Sequence, residues 1–442
     1  MTKPIVPHSS NLPSSHPSEA CCVEQRDLVA EQIFDPSTGK CEFIVRHRDG
    51  KICHEAHVVL ASGERVVPID DHFIRSGAVS LPRGIEDRGG LPELEQAVVA
   101  HVSRFVHLND DQMSVVAAFI PHTWQFPRFD TAPFLHLLGQ GGSGKTRLLR
   151  VLRDLCYRSI SVSGGSSHSS LFRSVDLYRG TLCLDETDFS ARNGEDFEIA
   201  RALRGSFQRG FVYTRTQGGH DNWAPVSFDL FGPKVIAGLH PFSDLPLESR
   251  CVQIVMRSGV RPDLYPVSLP ADYEEQSAGL RGWLLGWRLK SYFEPLEART
   301  LPDLDGRLQQ VFGPLLSVLQ SPKLRSSLEA VAGRAQAELR EARSESPDGA
   351  ILAAMVRLAS QAGRLPAKIY LQGIVGEISL SLESAEGPAP TARIVSSFCQ
   401  QLGMLPTKDG KGRWVLFDPA AHLPVLEQFG LAWEPGRDGE AA

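Results

Sequence analysis

The chain has 442 residues, of which 42% are hydrophobic and 22% are charged, and its formal net charge is -6. At about 150 residues per folding unit, this length predicts two or three units with a sizeable core. The negative balance excludes a uniformly basic nucleic-acid-binding protein, so any contact with DNA must be local. No apolar run approaches the roughly 20 residues that span a bilayer, which predicts a protein without membrane contact.

The first residues, 1–25, are rich in Ser and Pro and lack an apolar segment, which predicts a disordered leader rather than a signal peptide. Eight cysteines occur without any C-x-x-C pair. This usage is typical of free thiols in a reducing compartment and predicts a cytoplasmic protein.

Residues 26–85 alternate short β-branched runs with turn dipeptides, which predicts a small β-rich N-terminal subdomain. Four residues in this region have side chains that can bind zinc: Cys41, Cys53, His54 and His57. Their spacing matches no standard zinc finger or ribbon. The sequence therefore favours ordinary strand residues over a metal site.

Residues 86–260 predict an α/β domain built around a phosphate-binding loop. The apolar run 134–138 leads directly into the full G-x-x-x-x-G-K-T (Walker A) pattern, which consists of Gly139, Gln140, Gly141, Gly142, Ser143, Gly144, Lys145 and Thr146. The glycines let backbone N–H groups turn toward phosphates, and the N terminus of the following helix favours anions. Lys145 is predicted to contact the β- and γ-phosphates and Thr146 to coordinate Mg²⁺. The predicted cofactors are therefore ATP and Mg²⁺.

A second buried-type strand, 181–185, ends in Asp185 and is followed by Glu186, as in a Walker B motif. Asp185 is predicted to hold Mg²⁺ through water, and Glu186 to polarise the attacking water. This pair favours hydrolysis over mere binding, although a solvated acidic pair is the alternative. One strand and one helix fit between the two motifs, which is the order of an open, doubly wound parallel sheet.

Four segments carry a resemblance to a known family: LHLLGQGGSGKTRLL, LFRSVDLYRGTLCLDETDF, GPKVIAG and LESRCVQIVMR. Together they resemble the ATPase core of phage, plasmid and integrative-element helicases of the AAA+ class, especially primase-associated superfamily-three-like helicases. The resemblance covers residues 91–257. It implies a three-layer P-loop NTPase core, a homo-oligomeric ring, ATP hydrolysis between subunits and translocation on DNA. The implied role is a DNA helicase in the replication or maintenance of a mobile genetic element.

The resemblance also implies roles for individual residues. In such rings a subunit donates an arginine to the γ-phosphate of its neighbour, and Arg250 occupies the matching place before the fifth strand. The alternative is a surface ion pair of Arg250 with Glu248 or Asp244. The chain departs from the family where the fourth strand, 234–238, ends without the Asn that senses the γ-phosphate, which leaves His240 or a water as substitute.

Residues 211–216 and 224–229 flank a turn and predict a β-hairpin. Related helicases touch DNA with a hairpin at this place. The resemblance therefore implies phosphate contacts by Arg215 and His220, and stacking on a base by Trp223 or Tyr213. The alternative is an ordinary surface hairpin whose aromatic side chains pack on the core.

The remaining chain divides into three predicted regions. Residues 261–365 predict a helical connector or lid, with two helices broken near Pro347, and residues 431–442 a disordered tail. Between them, residues 366–430 predict helix, helix and β-strand, which fits either a winged-helix-like domain or a plain helical cap.

Three functions remain open from the sequence. The first is an ATP-hydrolysing motor that acts on DNA. The second is a nucleotide-switched module that binds DNA or protein with little turnover, which the missing Asn favours. The third is a P-loop kinase, against which the adjacent Asp185 and Glu186 argue.

Overall fold

A computed structural model describes residues 18–163, 168–185, 194–217, 224–257, 268–296, 299–362, 364–381 and 390–433. It divides the chain into two compact units, Met1–Ala332 and Gly333–Ala442. Within the described ranges, no helix is long and apolar enough to cross a membrane.

The first unit begins with a β-rich region. Its strands are β1 (Ser18–Ala20), β2 (Cys22–Glu24), β3 (Leu28–Asp35), β4 (Lys40–His47), β5 (Ile52–Glu55), β6 (Val58–Val59), β7 (Arg65–Pro68) and β8 (Val79–Ser80). An antiparallel sheet has the order β2-β3-β4-β5, and a smaller sheet the order β1-β7-β6. Phe43 and Val45 on β4 pack with Ala30 on β3 in a small apolar core. Because β1 starts at Ser18, the predicted leader of residues 1–25 is too long.

Helices and strands then alternate through the rest of the first unit. The strands are β9 (Phe134–Leu138), β10 (Ser159–Ser163), β11 (Leu182–Asp185), β12 (Val212–Gln217), β13 (Ala224–Asp229), β14 (Lys234–Gly238) and β15 (Cys251–Val255). The helices are α1 (His72–Arg75), α2 (Leu91–Phe105), α3 (Asp110–Gln125), α4 (Lys145–Leu155), α5 (His168–Tyr178), α6 (Gly194–Gly205), α7 (Leu245–Glu248), α8 (Tyr273–Ser291), α9 (Gly306–Ser317) and α10 (Pro322–Ser344).

The central sheet has the strand order β15-β9-β14-β11-β10-β8. All neighbouring pairs are parallel except β8, which runs antiparallel to β10 at the edge. Strands β9 and β14 are buried along their whole length, as expected for parallel strands that helices cover on both faces. The predicted chain order of strand, helix, strand, helix and acidic strand is confirmed. The carboxyl ends of the five parallel strands therefore meet at one edge.

Helix α8 packs against α2, α3 and α4. Its glycines permit a close approach of the chain at residues 84–86, since a Cβ at Gly286 would lie 2.7 Å from the carbonyl oxygen of Glu86. The predicted connector, residues 261–365, is consequently divided between the two units. Its first helix belongs to the helical layer of the central sheet, because its apolar face is buried there.

A buried ion network joins the β-rich region to α8. The guanidinium of Arg288, which is fully buried, donates from Nε to Glu31 at 2.6 Å and from Nη2 to Glu24 at 2.8 Å. Its Nη1 also donates to the backbone oxygen of Trp124 at 2.6 Å. Removing one member of such a network leaves an uncompensated buried charge, which costs about 3–5 kcal/mol. The β-rich region is thus part of the first unit rather than an independent subdomain.

Helix α3 places a buried histidine in an apolar environment. His122 lies between Phe119 and Phe129, and neither ring nitrogen has a hydrogen-bond partner among the described residues. Burial lowers the pKa of His122 from 6.5 to about 3. Below pH 6.5 the unfolded chain therefore binds a proton that the native protein excludes, and stability falls as the pH falls.

We expect His122→Leu to remove this pH dependence. Between pH 7.5 and pH 5, protonation of the unfolded state costs the wild-type protein about 2 kcal/mol through this residue alone. Denaturant titrations at both pH values measure the difference, with His107→Leu, at an exposed position, as the matched control. Equal losses of stability on acidification in wild type and His122→Leu would contradict the assignment.

The second unit contains α11 (Pro347–Gln361), β16 (Ala367–Tyr370), α12 (Leu371–Ser381), α13 (Ala392–Gln401), β17 (Thr407–Asp409), β18 (Gly412–Phe417) and α14 (Leu423–Gln428). The three strands form an antiparallel sheet in the order β16-β18-β17. Met355, Ile374, Phe398 and Val415 lie in one apolar core between this sheet and the helices. The predicted helix break before Pro347 is confirmed. Because a three-stranded sheet is present, the alternative of a plain helical cap is wrong.

Candidate nucleotide-binding site

The glycine-rich loop connects the buried strand β9 to the N terminus of α4. Gly144 is the N-cap residue of α4 and has a left-handed backbone with φ of +94°, which other residues adopt only with strain. At Gly139 the chain passes so close to β15 that a Cβ would lie 2.5 Å from the carbonyl oxygen of Met256. Both positions require glycine, so the local sequence determines the shape of the loop.

The side chain of Lys145 lies within this loop. Its Nζ donates hydrogen bonds to the carbonyl oxygens of Gly139 and Gln140, the latter at 3.0 Å. Ser143 is buried, and its Oγ has no partner among the described residues. Thr146 is exposed on the first turn of α4. The loop thus combines one ammonium, one unsatisfied buried hydroxyl and one accessible hydroxyl.

The first turn of α4 adds backbone donors to this arrangement. The N–H of Leu148 is bonded to the carbonyl oxygen of Gly144 at 3.0 Å, whereas the N–H groups before it precede the first intrahelical bond. These groups and the helix dipole favour negative charge at this end of the helix. The donor set therefore fits the phosphates of a nucleotide.

Asp185 lies at the same edge of the sheet as the loop. Its neighbour Leu184 on β11 pairs with Ile236 on β14, which pairs with His136 on β9. Asp185 is consequently level with Leu137, two strand spacings or about 10 Å away across the sheet. Glu186, the predicted catalytic carboxylate, lies outside the described residues. The structure therefore brings Asp185, but not yet Glu186, to the edge that carries Lys145 and Thr146.

Arg250 lies immediately before β15, and its environment differs from both ion pairs considered above. Glu248 accepts hydrogen bonds from His136 at 3.2 Å and from Gln253 at 2.6 Å, and Asp244 pairs with Arg204 at 3.4 Å. The guanidinium of Arg250 instead donates to the backbone oxygen of Pro246. The interpretation as an ion pair with Glu248 or Asp244 is therefore wrong.

Two further arginines accompany Arg250, and the sequence did not reveal them. The guanidinium groups of Arg250 and Arg307 lie 5.6 and 5.2 Å from the ring centre of Phe207. Partial burial lowers the pKa of Arg250, and the neighbouring charges of Arg307 and Arg204 lower it further. Arg307 lies on α9, in the region predicted as a connector, so no local pattern could have linked it to Arg250. The three cations form a surface suited to an anion.

Comparisons with known proteins place this geometry beside helicases. No protein-family model matches the sequence. No curated protein matches it either. Similar solved structures include the C-terminal region of NrS-1, with 10% identity and a TM-score of 0.39 over 88% of this chain and 96% of that one.

Two other solved structures are helicases by their descriptions. One is the active helicase Cch of SCCmec type IV, with 11% identity and a TM-score of 0.38 over 93% of this chain and 97% of that one. The other is JCV helicase, with 16% identity and a TM-score of 0.27 over 55% of this chain and 65% of that one. Because every TM-score lies below 0.5, no role is transferred from these proteins to residues of this chain.

The predicted hairpin is confirmed as the antiparallel pair β12–β13. Arg215 donates to Glu198 at 2.7 Å, and Tyr213 packs on Phe172 with ring centres 4.8 Å apart. His220 and Trp223 lie outside the described residues. The described part of the hairpin therefore packs on α5 and α6, and its Arg215 already has a carboxylate partner.

The remaining candidates lie apart from the loop. His240 is exposed beyond the end of β14 at Gly238. In the β-rich region, Cys53 contacts His47 at 3.6 Å, His54 contacts Glu42 at 3.0 Å, and His57 contacts Arg65 at 3.3 Å. In the described part of the chain, His, Cys, Asp and Glu form no group of three or more that could hold a metal ion.

Proposed function

We propose that this chain is an ATP-binding and ATP-hydrolysing motor of the AAA+-like P-loop class. The observation that carries the proposal is the position of Lys145 inside a glycine-rich loop at the carboxyl edge of a parallel sheet. Asp185 lies at that same edge, two strands away. A phosphate-binding loop and an acidic strand end are the two parts that Mg²⁺-dependent phosphoryl transfer requires.

Each residue of the site has a distinct task in this proposal. Lys145 and the N–H groups of the loop from Gly139 to Thr146 bind the phosphates, and Lys145 stabilises the charge that develops on them. Thr146 and Asp185 hold Mg²⁺, directly and through water, and the ion supplies charge neutralisation between the phosphates. Glu186 orients and polarises the attacking water.

The second part of the proposal is a homo-oligomeric ring that acts on DNA. Arg250 and its neighbours Arg204 and Arg307 form a cationic surface that suits the γ-phosphate bound by an adjacent subunit. Arg215 and His220 are proposed to contact the DNA backbone in the ring. The proposed setting is a cytoplasmic helicase or translocase that replicates or maintains a mobile genetic element.

ATP turnover of the purified chain, measured with and without single-stranded DNA, tests this function. We expect Mg²⁺-dependent hydrolysis that DNA stimulates, because a motor couples turnover to its track. Turnover that ignores DNA, together with no DNA binding in a separate titration, would remove the helicase assignment and leave an ATPase of another kind.

A second candidate is a nucleotide-switched module that holds ATP and rarely hydrolyses it. The end of β14 at Gly238, without an Asn, favours this candidate because the sensor of the γ-phosphate is missing there. Glu186→Gln separates the two functions, since it retains ATP binding but removes the carboxylate that polarises water. Loss of DNA-stimulated activity in this variant supports the motor, and full activity of the variant supports the switch.

A further inference from the structure

The second unit has a chain order that places one helix and one hairpin side by side on its surface. Helix α11 is followed by strand β16, helices α12 and α13, and the hairpin β17–β18, whose strands pair through Lys408 and Arg413. This is the order of a winged-helix domain, in which the helix before the hairpin is the one exposed to a partner. The architecture therefore identifies α13 and the hairpin as one continuous face.

Helix α13 has two chemically different sides. Val395, Phe398 and Cys399 face the apolar core of the unit. Arg393, Ser397 and Gln400 are exposed on the opposite side. Arginine, serine and glutamine are side chains that form hydrogen bonds with base edges in the major groove. The exposed side thus carries groups that can recognise base pairs, on a helix about 15 Å long.

A groove of about 700 Å³ separates this side of α13 from the hairpin. Arg393, Ser397 and Gln400 line it from α13, and Arg413 lines it from β18. Two guanidinium groups thus border one groove from two different elements. Neither arginine has a printed ion pair or hydrogen-bond partner of its own element that would neutralise it.

The charge of this face is opposite to that of the whole protein. The chain has a formal net charge of -6, whereas residues 392–413 contain four basic side chains and one acidic one. The acidic one, Asp409, is paired with Lys368 at 2.6 Å. Lys408 and Lys411 are exposed on the hairpin. The local positive excess is therefore available to phosphates.

We propose that this face, formed by α13 and the β17–β18 hairpin, binds double-stranded DNA, with α13 in the major groove and the hairpin cations on the adjacent backbone. A-form RNA is disfavoured as partner because its major groove is too deep and narrow for a helix. Single strands are disfavoured because the exposed side chains of this face include no aromatic platform among the described residues. The inference rests on the proposed function only in its choice of DNA, and it adds a second DNA site distinct from the β12–β13 hairpin.

Fluorescence anisotropy with the full chain, without nucleotide, tests the proposal. Three probes of equal length are compared: a mixed-sequence DNA duplex, one of its single strands and an RNA duplex. We expect the DNA duplex to bind most tightly and its affinity to fall with salt. In the double variant Arg393→Ala/Arg413→Ala, we expect affinity for the duplex to fall by about 5- to 150-fold, with a shallower salt dependence.

Arg364→Ala is the matched control, because Arg364 is also exposed in the second unit but lies before the opposite end of β16. Thermal unfolding of each variant reports whether the fold is retained. Unchanged duplex affinity in the folded double variant, or tighter binding of the single strand or the RNA duplex, would overturn the inference. ATP hydrolysis by wild type without DNA is measured in parallel. Turnover without duplex binding overturns this inference alone, and duplex binding without turnover overturns the proposed ATPase alone.

Discussion

Replacement of Lys145 by alanine is expected to lower kcat for ATP hydrolysis by about 10²- to 10³-fold, the usual effect of losing one preorganised charged donor. The Nζ of Lys145 lies inside the loop and contacts the carbonyl oxygens of Gly139 and Gln140. Alanine at this position leaves the phosphates without that charge, whereas the backbone of the loop is retained. Steady-state phosphate release in excess ATP measures the effect.

Lys290→Ala is the matched control for this prediction. Lys290 is a half-exposed lysine paired with Asp87 at 2.7 Å, outside the loop. Its removal is expected to change stability by at most about 1 kcal/mol and hydrolysis not at all. If Lys145→Ala retained wild-type turnover while remaining folded, the loop would not be the site of hydrolysis.

Loss of Arg250 is expected to have a still larger effect if the site is completed by a neighbouring subunit. An arginine that stabilises the transferred phosphoryl group contributes about 10³ to 10⁵ in rate, or about 4 to 7 kcal/mol of barrier. We expect Arg250→Ala to lose activity to this extent while its own loop still binds ATP. Arg75→Ala, at an exposed arginine paired with Asp70, is the control.

Mixing two inactive variants tests the intersubunit role directly. A subunit with Arg250→Ala retains an intact loop, and a subunit with Lys145→Ala retains an intact Arg250. In an equal mixture, about a quarter of the interfaces of a head-to-tail ring combine the intact halves. Partial recovery of ATP hydrolysis is expected. An equal mixture as inactive as either variant would contradict a shared site, because a purely structural role of Arg250 beside Phe207 gives no recovery.

The parts of the site that the sequence predicted are those determined within a few residues. Gly139 and Gly144 need glycine for reasons of local backbone geometry, so the loop is visible in the sequence. The buried strands β9 and β11 are continuous apolar runs, and their order along the chain restricts the sheet to a parallel, doubly wound form. The position of Asp185 at the edge of the loop followed from these two facts.

The contacts that were not predicted depend on residues far apart in the chain. Arg307 approaches Arg250 because α9 packs beside the sheet, and Arg288 reaches Glu24 and Glu31 because α8 belongs to its helical layer. A single sequence contains no periodicity that reports such long-range pairings. The role of Glu248 was misjudged for the same reason, since its partner His136 is on β9.

The central claim, that the loop around Lys145 and the strand end at Asp185 form one Mg²⁺–ATP hydrolysis site, has a direct test. ATP turnover by the wild-type chain is measured in excess Mg²⁺ and again after chelation by EDTA, with Asp185→Asn under both conditions. The account predicts turnover by the wild type in Mg²⁺, its loss in EDTA, and a raised Mg²⁺ requirement for Asp185→Asn. Turnover that persists in EDTA, or equal Mg²⁺ dependence in both proteins, would contradict it.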